Sequence, residues 1–327
     1  MQFPQQIFTG NNFIATSAFN FVYLWIVVLS SYFTNFCRAP VPGYGERLMK
    51  LSQCCYECLA RLVHQAAELA TGDVQVRERA IETGLYILDE EFSYNEVSIV
   101  IATHIHEAIK NITGNPDPYN DMKQGELIVA KELYDEVVSN YEKTFEGLLK
   151  LAVLGNTIDF FRPFDVIRRD MKRKVNFAID HAELFHRKLH AVGRILYLAD
   201  NTGEVFFDLP LLNWIRQFAD VKYVVKGSPV QNDITMEDVK NIGLGDALGD
   251  VISTGTATPG IIFSLASSEF KYHFDHADLI LAKGMGYYES LSEIPPEGKI
   301  FYCLKAKCHP VAESLNASLN SFVAMLR

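Results

Sequence analysis

From Gly193 onward, short apolar runs alternate with helical stretches, and each run ends in a polar or glycine-bearing turn. The runs are Ile195–Ala199, Val221–Val225, Val251–Ser253, Leu279–Ala282 and Ile300–Leu304. Helical stretches separate several of them, as over Val205–Phe218 and Met236–Ile242. Such alternation implies right-handed βαβ units and a parallel sheet covered on both faces. In open sheets of this kind, ligands bind outside the carboxyl ends of the strands. The turns that follow the apolar runs are therefore the place to look for chemistry.

The first turn reads Asp200-Asn201-Thr202-Gly203-Glu204. Asp and Asn side by side offer hard oxygen ligands for a divalent cation. Gly203 lets the backbone approach a phosphate at the start of the next helix. Taken alone, the motif fits helix capping equally well. The second run leads into Lys226-Gly227-Ser228-Pro229, with Asn232-Asp233-Ile234-Thr235 close behind. Thr254-Gly255-Thr256, Lys283-Gly284-Met285-Gly286 and Lys305-Ala306-Lys307-Cys308 follow the third, fourth and fifth. Each is ordinary turn chemistry by itself. At one edge of one sheet, they combine carboxylate and amide ligands for a metal with lysines and glycine amides for an anion. That combination equips a site for phosphoryl transfer or phosphate-ester hydrolysis. No Gly-x4-Gly-Lys-Ser/Thr loop occurs, and no Gly-x-Gly-x-x-Gly follows the first run. Nucleoside-triphosphate hydrolysis and hydride transfer lose support accordingly.

The chain divides into three parts: an apolar extension over 1–48, an α-helical domain over 49–190 and an α/β domain over 191–327. In the middle part, apolar residues recur three and four apart from Cys58 to Ala70, before Gly72. A second helix is expected near Val97–Ile112. A third is expected to open at Asp117-Pro118, with Asp as N-cap and Pro at the first helical position, and to run through Glu126 and Val138. A long helical pattern extends from Pro163 to about Leu189. With 327 residues, 49% of them hydrophobic, the chain can bury a large core in two domains. A net charge of -10 argues against a nucleic-acid partner. Six cysteines in this length do not make a disulfide scaffold, and the bulk reads as a reduced, cytoplasmic enzyme. Residues 1–37 disagree, since they hold no Asp, Glu, Lys or Arg. Phe13 to Phe36 is long enough to span a bilayer, and Arg38, Arg47 and Lys50 behind it would keep the remainder in the cytoplasm. A start at Met49, with 1–48 read from upstream sequence, is the competing account, so a membrane contact is expected only if residues 13–36 are translated.

Three motifs in this order resemble the damage-control phosphatases, once called domain of unknown function 89. They are Asp200–Glu204, Lys226–Thr235 and Lys283–Glu289, the last reading Lys-Gly-x-Gly-x-x-Glu. The helical part resembles the family too, through Asp117-Pro118-Tyr119 with Lys123 and through Gly155-Asn156-Thr157-Ile158-Asp159-Phe160. Cys55-x-x-Cys58 resembles the mark of a subgroup found largely in archaea and some bacteria. The match runs from about Met49 to the C-terminus. It implies a Rossmann-like α/β/α domain with a mostly parallel sheet beside an N-terminal α-helical domain. It also implies a metal-dependent phosphatase of small phosphorylated metabolites, using Mg, Mn, Co or Ni held by Asp200, Asn201 and Asp233. On this reading Asp200 or a metal-activated water is the nucleophile, and Lys283 and Lys226 stabilise the phosphoryl oxygens. Glu204 and Asp159 orient groups or move protons. Gly255, Thr256, Gly284 and Asn156 contact the phosphate or substrate.

Each assignment has a plainer competitor. Asp233 could cap the helix near Thr235, and Lys226 and Lys283 could be solvated strand ends. Cys55 and Cys58 are a structural pair by default, because no second Cys-x-x-Cys completes a metal site. At the level of function, an S-adenosylmethionine-dependent carboxylate methyltransferase and a non-catalytic metal- or ligand-binding protein compete. The first lacks a glycine-rich loop after the first run, and the second requires the lysines to be incidental.

Overall fold

The computed structural model describes residues 51–94, 96–158, 164–292, 294–295 and 297–327. Helix α1 (Gln53–Ala70) buries Leu59, Val63, Ala66, Ala67 and Ala70, the three- and four-residue spacing of one helical face. That face packs on α2 (Val74–Glu91) and α3 (Ser98–Thr113), where Leu88, Ile101, Ile105 and Ile109 complete a small core. Helices α4 (Asn120–Val137), α5 (Phe145–Gly155) and α6 (Phe164–Met171) then lead to the sheet.

The sheet alternates with helices in chain order: β1 (Phe177–Asp180), α7 (Ala182–Leu189), β2 (Arg194–Leu198), α8 (Val205–Ile215) and β3 (Asp220–Val225). Next come α9 (Met236–Ile242), α10 (Gly245–Leu248), β4 (Val251–Ser253), α11 (Ser268–His276), β5 (Leu279–Lys283) and α12 (Gly284–Leu291). Finally come β6 (Ile300–Lys305), α13 (His309–Ser314) and β7 (Phe322–Leu326). All five strand expectations are met to within a residue at either end. The fold is the expected α/β class, with one mostly parallel seven-stranded sheet in the order β1-β7-β6-β5-β2-β3-β4. Only β6 and β7 pair antiparallel. Strands β5 and β6 are buried along their whole length, as strands covered on both faces must be. One face carries Tyr197, Tyr223, Leu281 and Phe301 against α5, α7 and α8. The other carries Leu198, Val224, Ile280 and Tyr302 against Phe270, Tyr287 and Leu291.

The chain winds outward from β2 through β3 to β4, then returns to lay β5 on the other side of β2. The order reverses between β2 and β5, and there the two following connections leave the sheet toward opposite faces. This opens a crevice at the carboxyl ends of the strands, the place where such sheets bind ligands. Asp200 lies just past the end of β2, and Lys283 ends β5 beside it.

Two expectations need correction. The helical pattern from Pro163 to about Leu189 is broken: α6 and α7 are separated by β1, a four-residue strand that pairs with the distant β7. Neither strand has a local signal strong enough to betray it. The third helix begins at Asn120 rather than at Pro118. Asp117 lies one turn ahead, accepting from the Tyr119 N–H at 3.2 Å and pairing with Lys123 Nζ at 2.6 Å. Residues 1–50, including the apolar stretch Phe13 to Phe36, lie outside the described residues. Among those described, no helix is long and apolar enough to cross a membrane.

Lys123 joins α4 to the sheet. Its side chain is 1% exposed and its ammonium also reaches Asp238 Oδ2 at 3.0 Å. Asp238 in turn accepts from the N–H and hydroxyl of Thr235, the residue that caps α9. Removing one partner of such a cluster leaves a buried charge uncompensated. Lys123→Met is therefore expected to cost about 3 kcal/mol. Urea denaturation should show a lower midpoint with an unchanged slope.

Candidate active site

The turn after β2 and the loop after β3 are zipped together at the crevice. Asn201 and Asp233 form an isolated antiparallel bridge. The Ile234 N–H donates to the Asp200 carbonyl at 2.9 Å, and the Thr202 N–H donates to the Asn232 carbonyl at 2.9 Å. The same loop returns to its own strand, since the Lys226 N–H donates to the Ile234 carbonyl at 2.8 Å. Asp200, Asn201 and Asp233 are thereby fixed side by side, although they are distant in sequence.

The capping alternatives do not survive this geometry. Asn201 precedes the 3-10 turn Thr202–Glu204 but makes no side-chain cap bond. Helix α9 is capped by Thr235, whose hydroxyl accepts from the Asp238 N–H at 3.1 Å, so Asp233 is free of that duty. Nor are the lysines solvated strand ends, for Lys226 and Lys283 are both 0% exposed.

Asp200 takes its hydrogen bonds from neutral amides. Asn156 Nδ2 donates to its Oδ2 at 2.9 Å and Asn201 Nδ2 at 3.4 Å. Both amides also donate to Glu204 Oε1, at 2.7 and 2.9 Å. Asn156 is itself fixed by the Lys305 N–H, which donates to its Oδ1 at 3.0 Å. Behind this layer Lys283 Nζ donates to Glu204 Oε2 at 2.7 Å and to Asp208 Oδ1 at 2.6 Å. Tyr197 and Tyr223 complete the shell, donating to the two oxygens of Asp208 at 2.7 and 3.1 Å.

Burial disfavours charge on Lys283, but Asp208 and Glu204 outweigh it and hold the lysine protonated far above neutral pH. The carboxylates in front behave differently. Burial, reinforced by Glu204 and Asp233, pushes Asp200 well above the usual carboxylate range. Burial also raises Asp233 to about 6, against the opposing pull of Lys226.

Lys226 Nζ donates to the Gly260 carbonyl at 2.7 Å, stands 3.4 Å from Asp233 Oδ2 and lies 4.1 Å from the centre of the Tyr287 ring. Gly255 and Thr256 form the wall under this loop. The Thr256 carbonyl accepts from the Gly227 N–H at 2.9 Å, and its hydroxyl is 2.9 Å from that of Thr258. Gly284 faces Asp200 directly: it has φ +77°, and a Cβ placed there would stand 1.9 Å from Asp200 Oδ2. Any side chain at 284 would displace the carboxylate. Asp159 lies outside the described residues.

The structure thus gathers Asp200, Asn201, Asp233, Glu204, Asn156, Lys226, Lys283 and Gly284 at one place, with Gly255 and Thr256 at its edge. It also adds residues that the sequence reading passed over. Glu126 is fully buried, accepting from the Gly203 N–H at 3.0 Å and from Asn232 Nδ2 at 2.9 Å. Burial pushes its carboxyl up to about 8, although both hydrogen bonds pull the other way. Asp208 was discoverable, because four residues after Glu204 it shares that residue's helical face. Nothing local marks Glu126 as facing the turn.

Comparison with known proteins now bears on the assignment. The sequence profile of the damage-control phosphatase ARMT1-like domain matches residues 51–322. The chain belongs to the damage-control phosphatase family. It is 36% identical over 285 residues to a damage-control phosphatase of Pyrococcus horikoshii, covering 85% of this chain and 98% of that protein. It is 31% identical over 287 residues to a damage-control phosphatase of Archaeoglobus fulgidus, covering 84% of this chain and 99% of the other. A crystal structure of a P. horikoshii member of the family superimposes with a TM-score of 0.77 at 34% identity, over 85% of this chain and 99% of that one. In this member of the family the Cys55 and Cys58 thiols are free, and burial raises that of Cys55.

Two outcomes follow from the geometry. Gly284→Ala should lower stability by about 2 kcal/mol or more, from a strained φ and the collision with Asp200, measured by chemical denaturation. The second concerns Glu126, whose carboxyl binds its proton more tightly in the folded protein than in the unfolded chain. Its contribution to stability is therefore complete at low pH and is lost as pH rises from about 4 to about 8. Melting temperatures measured across that range should fall less steeply in Glu126→Gln, which cannot ionise, than in the wild type.

Proposed function

We propose that this protein is a divalent-metal-dependent phosphatase acting on small phosphorylated metabolites, with Asp200, Asn201 and Asp233 as the protein's metal ligands. The observation that carries the reading is the electrostatics of the zipped turns. Two buried carboxylates and the Asn201 amide are held side by side, and burial raises both carboxyls. The proposed donor set mixes two carboxylates with an amide. Hard oxygen donors suit Mg or Mn, and Co or Ni are also compatible with the set. A bound divalent ion would supply charge neutralisation and orientation for the phosphate ester.

The chain's own residues do the rest. Asn156 and Asn201 grip one oxygen of Asp200, which fixes the plane of its carboxylate. Glu204 cannot swing away, because Lys283 holds its other oxygen. In this reading Lys283 acts from behind, as the counter-charge paired with Glu204, while Lys226 is the cation beside Asp233 for a phosphoryl oxygen. Gly284 leaves room at the strand ends for the Asp200 carboxylate itself. Burial of these groups strengthens each electrostatic contact, since little water competes.

The test is hydrolysis of p-nitrophenyl phosphate by the full chain, treated with EDTA and then supplied in turn with Mg²⁺, Mn²⁺, Co²⁺ and Ni²⁺. EDTA should abolish turnover and at least one metal should restore it. Asp200→Ala should fall by at least ~100-fold. Turnover indifferent to EDTA, or undiminished in Asp200→Ala, would overturn the reading.

A further inference from the structure

We infer that Glu126 is a positioning residue: a hydrogen-bonding brace, contributed by the helical part of the molecule, that locks the two ligand-bearing turns of the sheet to each other. The inference rests on the phosphatase reading for its catalytic consequence but not for its structural content. Helix α4 brings Glu126 beneath the zipped turns. One carboxyl oxygen accepts from Gly203, two residues beyond Asn201, and the other accepts from Asn232, next to Asp233. The side chain thus touches both turns and neither proposed ligand.

The fit is close. A Cβ at Gly203 would stand 2.8 Å from Glu126 Cγ and 2.9 Å from Ala130 Cβ, so only glycine lets the turn sit this low on α4. Both oxygens of Glu126 are used, the residue is 0% exposed, and Asn232 is only 8% exposed. A buried N–H or amide left without its partner carries the full cost of its desolvation. Removal of the carboxyl group therefore frees the Gly203 and Asn232 ends together and loosens the spacing between Asn201 and Asp233. Lys123, one turn earlier on α4, ties the same helix to Asp238, so α4 is anchored on both sides of the loop that carries Asp233.

What the brace needs is hydrogen bonds rather than charge. Glutamine supplies a carbonyl oxygen for the Gly203 N–H, and its NH₂ can donate to the Asn232 amide once that amide turns over. Leucine supplies neither. The experiment compares wild type, Glu126→Leu, Glu126→Gln and the milder Asn232→Ala, in three readouts. Hydrogen exchange of the peptides over residues 200–204 and 230–235 reports the brace itself, whether or not any metal binds. Manganese titration followed by electron paramagnetic resonance reports metal affinity. Steady-state hydrolysis of p-nitrophenyl phosphate separates kcat from KM. Glu126→Leu is expected to exchange faster in both peptides, to bind Mn²⁺ at least ~10-fold more weakly and to lose kcat by a similar factor with KM little changed. Asn232→Ala should do so more mildly, chiefly in the second peptide, and serves if the leucine variant does not fold. Glu126→Gln should recover most of the loss in all three. Wild-type exchange rates in Glu126→Leu and Asn232→Ala, or a glutamine variant as impaired as leucine, would overturn the inference. A wild type that neither binds Mn²⁺ nor turns over would instead overturn the phosphatase reading, and the exchange measurement would still decide the brace.

Discussion

Lys283 has no route to water, and its charge persists there because Glu204 and Asp208 stand on either side of it at 2.7 and 2.6 Å. Much of the site depends on this buried arrangement. The lysine ends β5, and the two carboxylates lie one helical turn apart beyond β2, so the ion pairs join the two strands where the winding of the sheet reverses. Two tyrosines satisfy Asp208 from below. Glu204, fixed from behind, becomes a rigid acceptor on which Asn156 and Asn201 align, and these in turn orient Asp200. A chain of hydrogen bonds thus runs from the core of the sheet to the surface of the crevice, and each link is set by the one beneath it. Such networks are costly when partly satisfied and rigid when complete.

At the back, one lysine stands between two carboxylates, and Lys283 is held protonated by them. At the front, burial raises the carboxyls of Asp200 and Asp233 above the ordinary range, and Lys226 stands 3.4 Å from Asp233. On the proposed reading, a ligand carrying two positive charges would favour the ionised form of both carboxyls. Gly284, Gly203 and the cap at Thr235 serve the same end. The glycines remove side chains that would collide with Asp200 and Glu126, and the Thr235 cap leaves the Asp233 side chain to pair with Lys226.

Much of this was legible in the sequence, for physical reasons. Strands buried on both faces read as continuous apolar runs, and the turns after them are pinned to the ends of those runs, so Asp200, Lys226, Thr254 and Lys283 could be placed at one edge before any coordinates. What the sequence could not supply was the difference between a lysine facing the crevice and one facing the core. Lys283 ends β5 and Lys226 follows β3, one register step apart against β2, and Lys226 lies beside Asp233 while Lys283 is sealed behind Glu204. Strands β1 and β7 were missed because they stabilise each other across a long separation and lack strong local patterns. Glu126 was missed because its partners are a backbone N–H and an amide supplied by other elements. On a helical wheel it is one more residue of α4, and only the packing of α4 under the turns gives it work.

The central claim is that the zipped turns form a cation site. It is tested most directly by diffraction from crystals grown with Mn²⁺, with data collected to reveal the anomalous scattering of manganese. The account predicts an anomalous peak within bonding distance of Asp200, Asn201 and Asp233, with Glu204 still paired to Lys283 behind it. Crystals that diffract well and show no peak there, or show manganese only at some other place on the molecule, would contradict it.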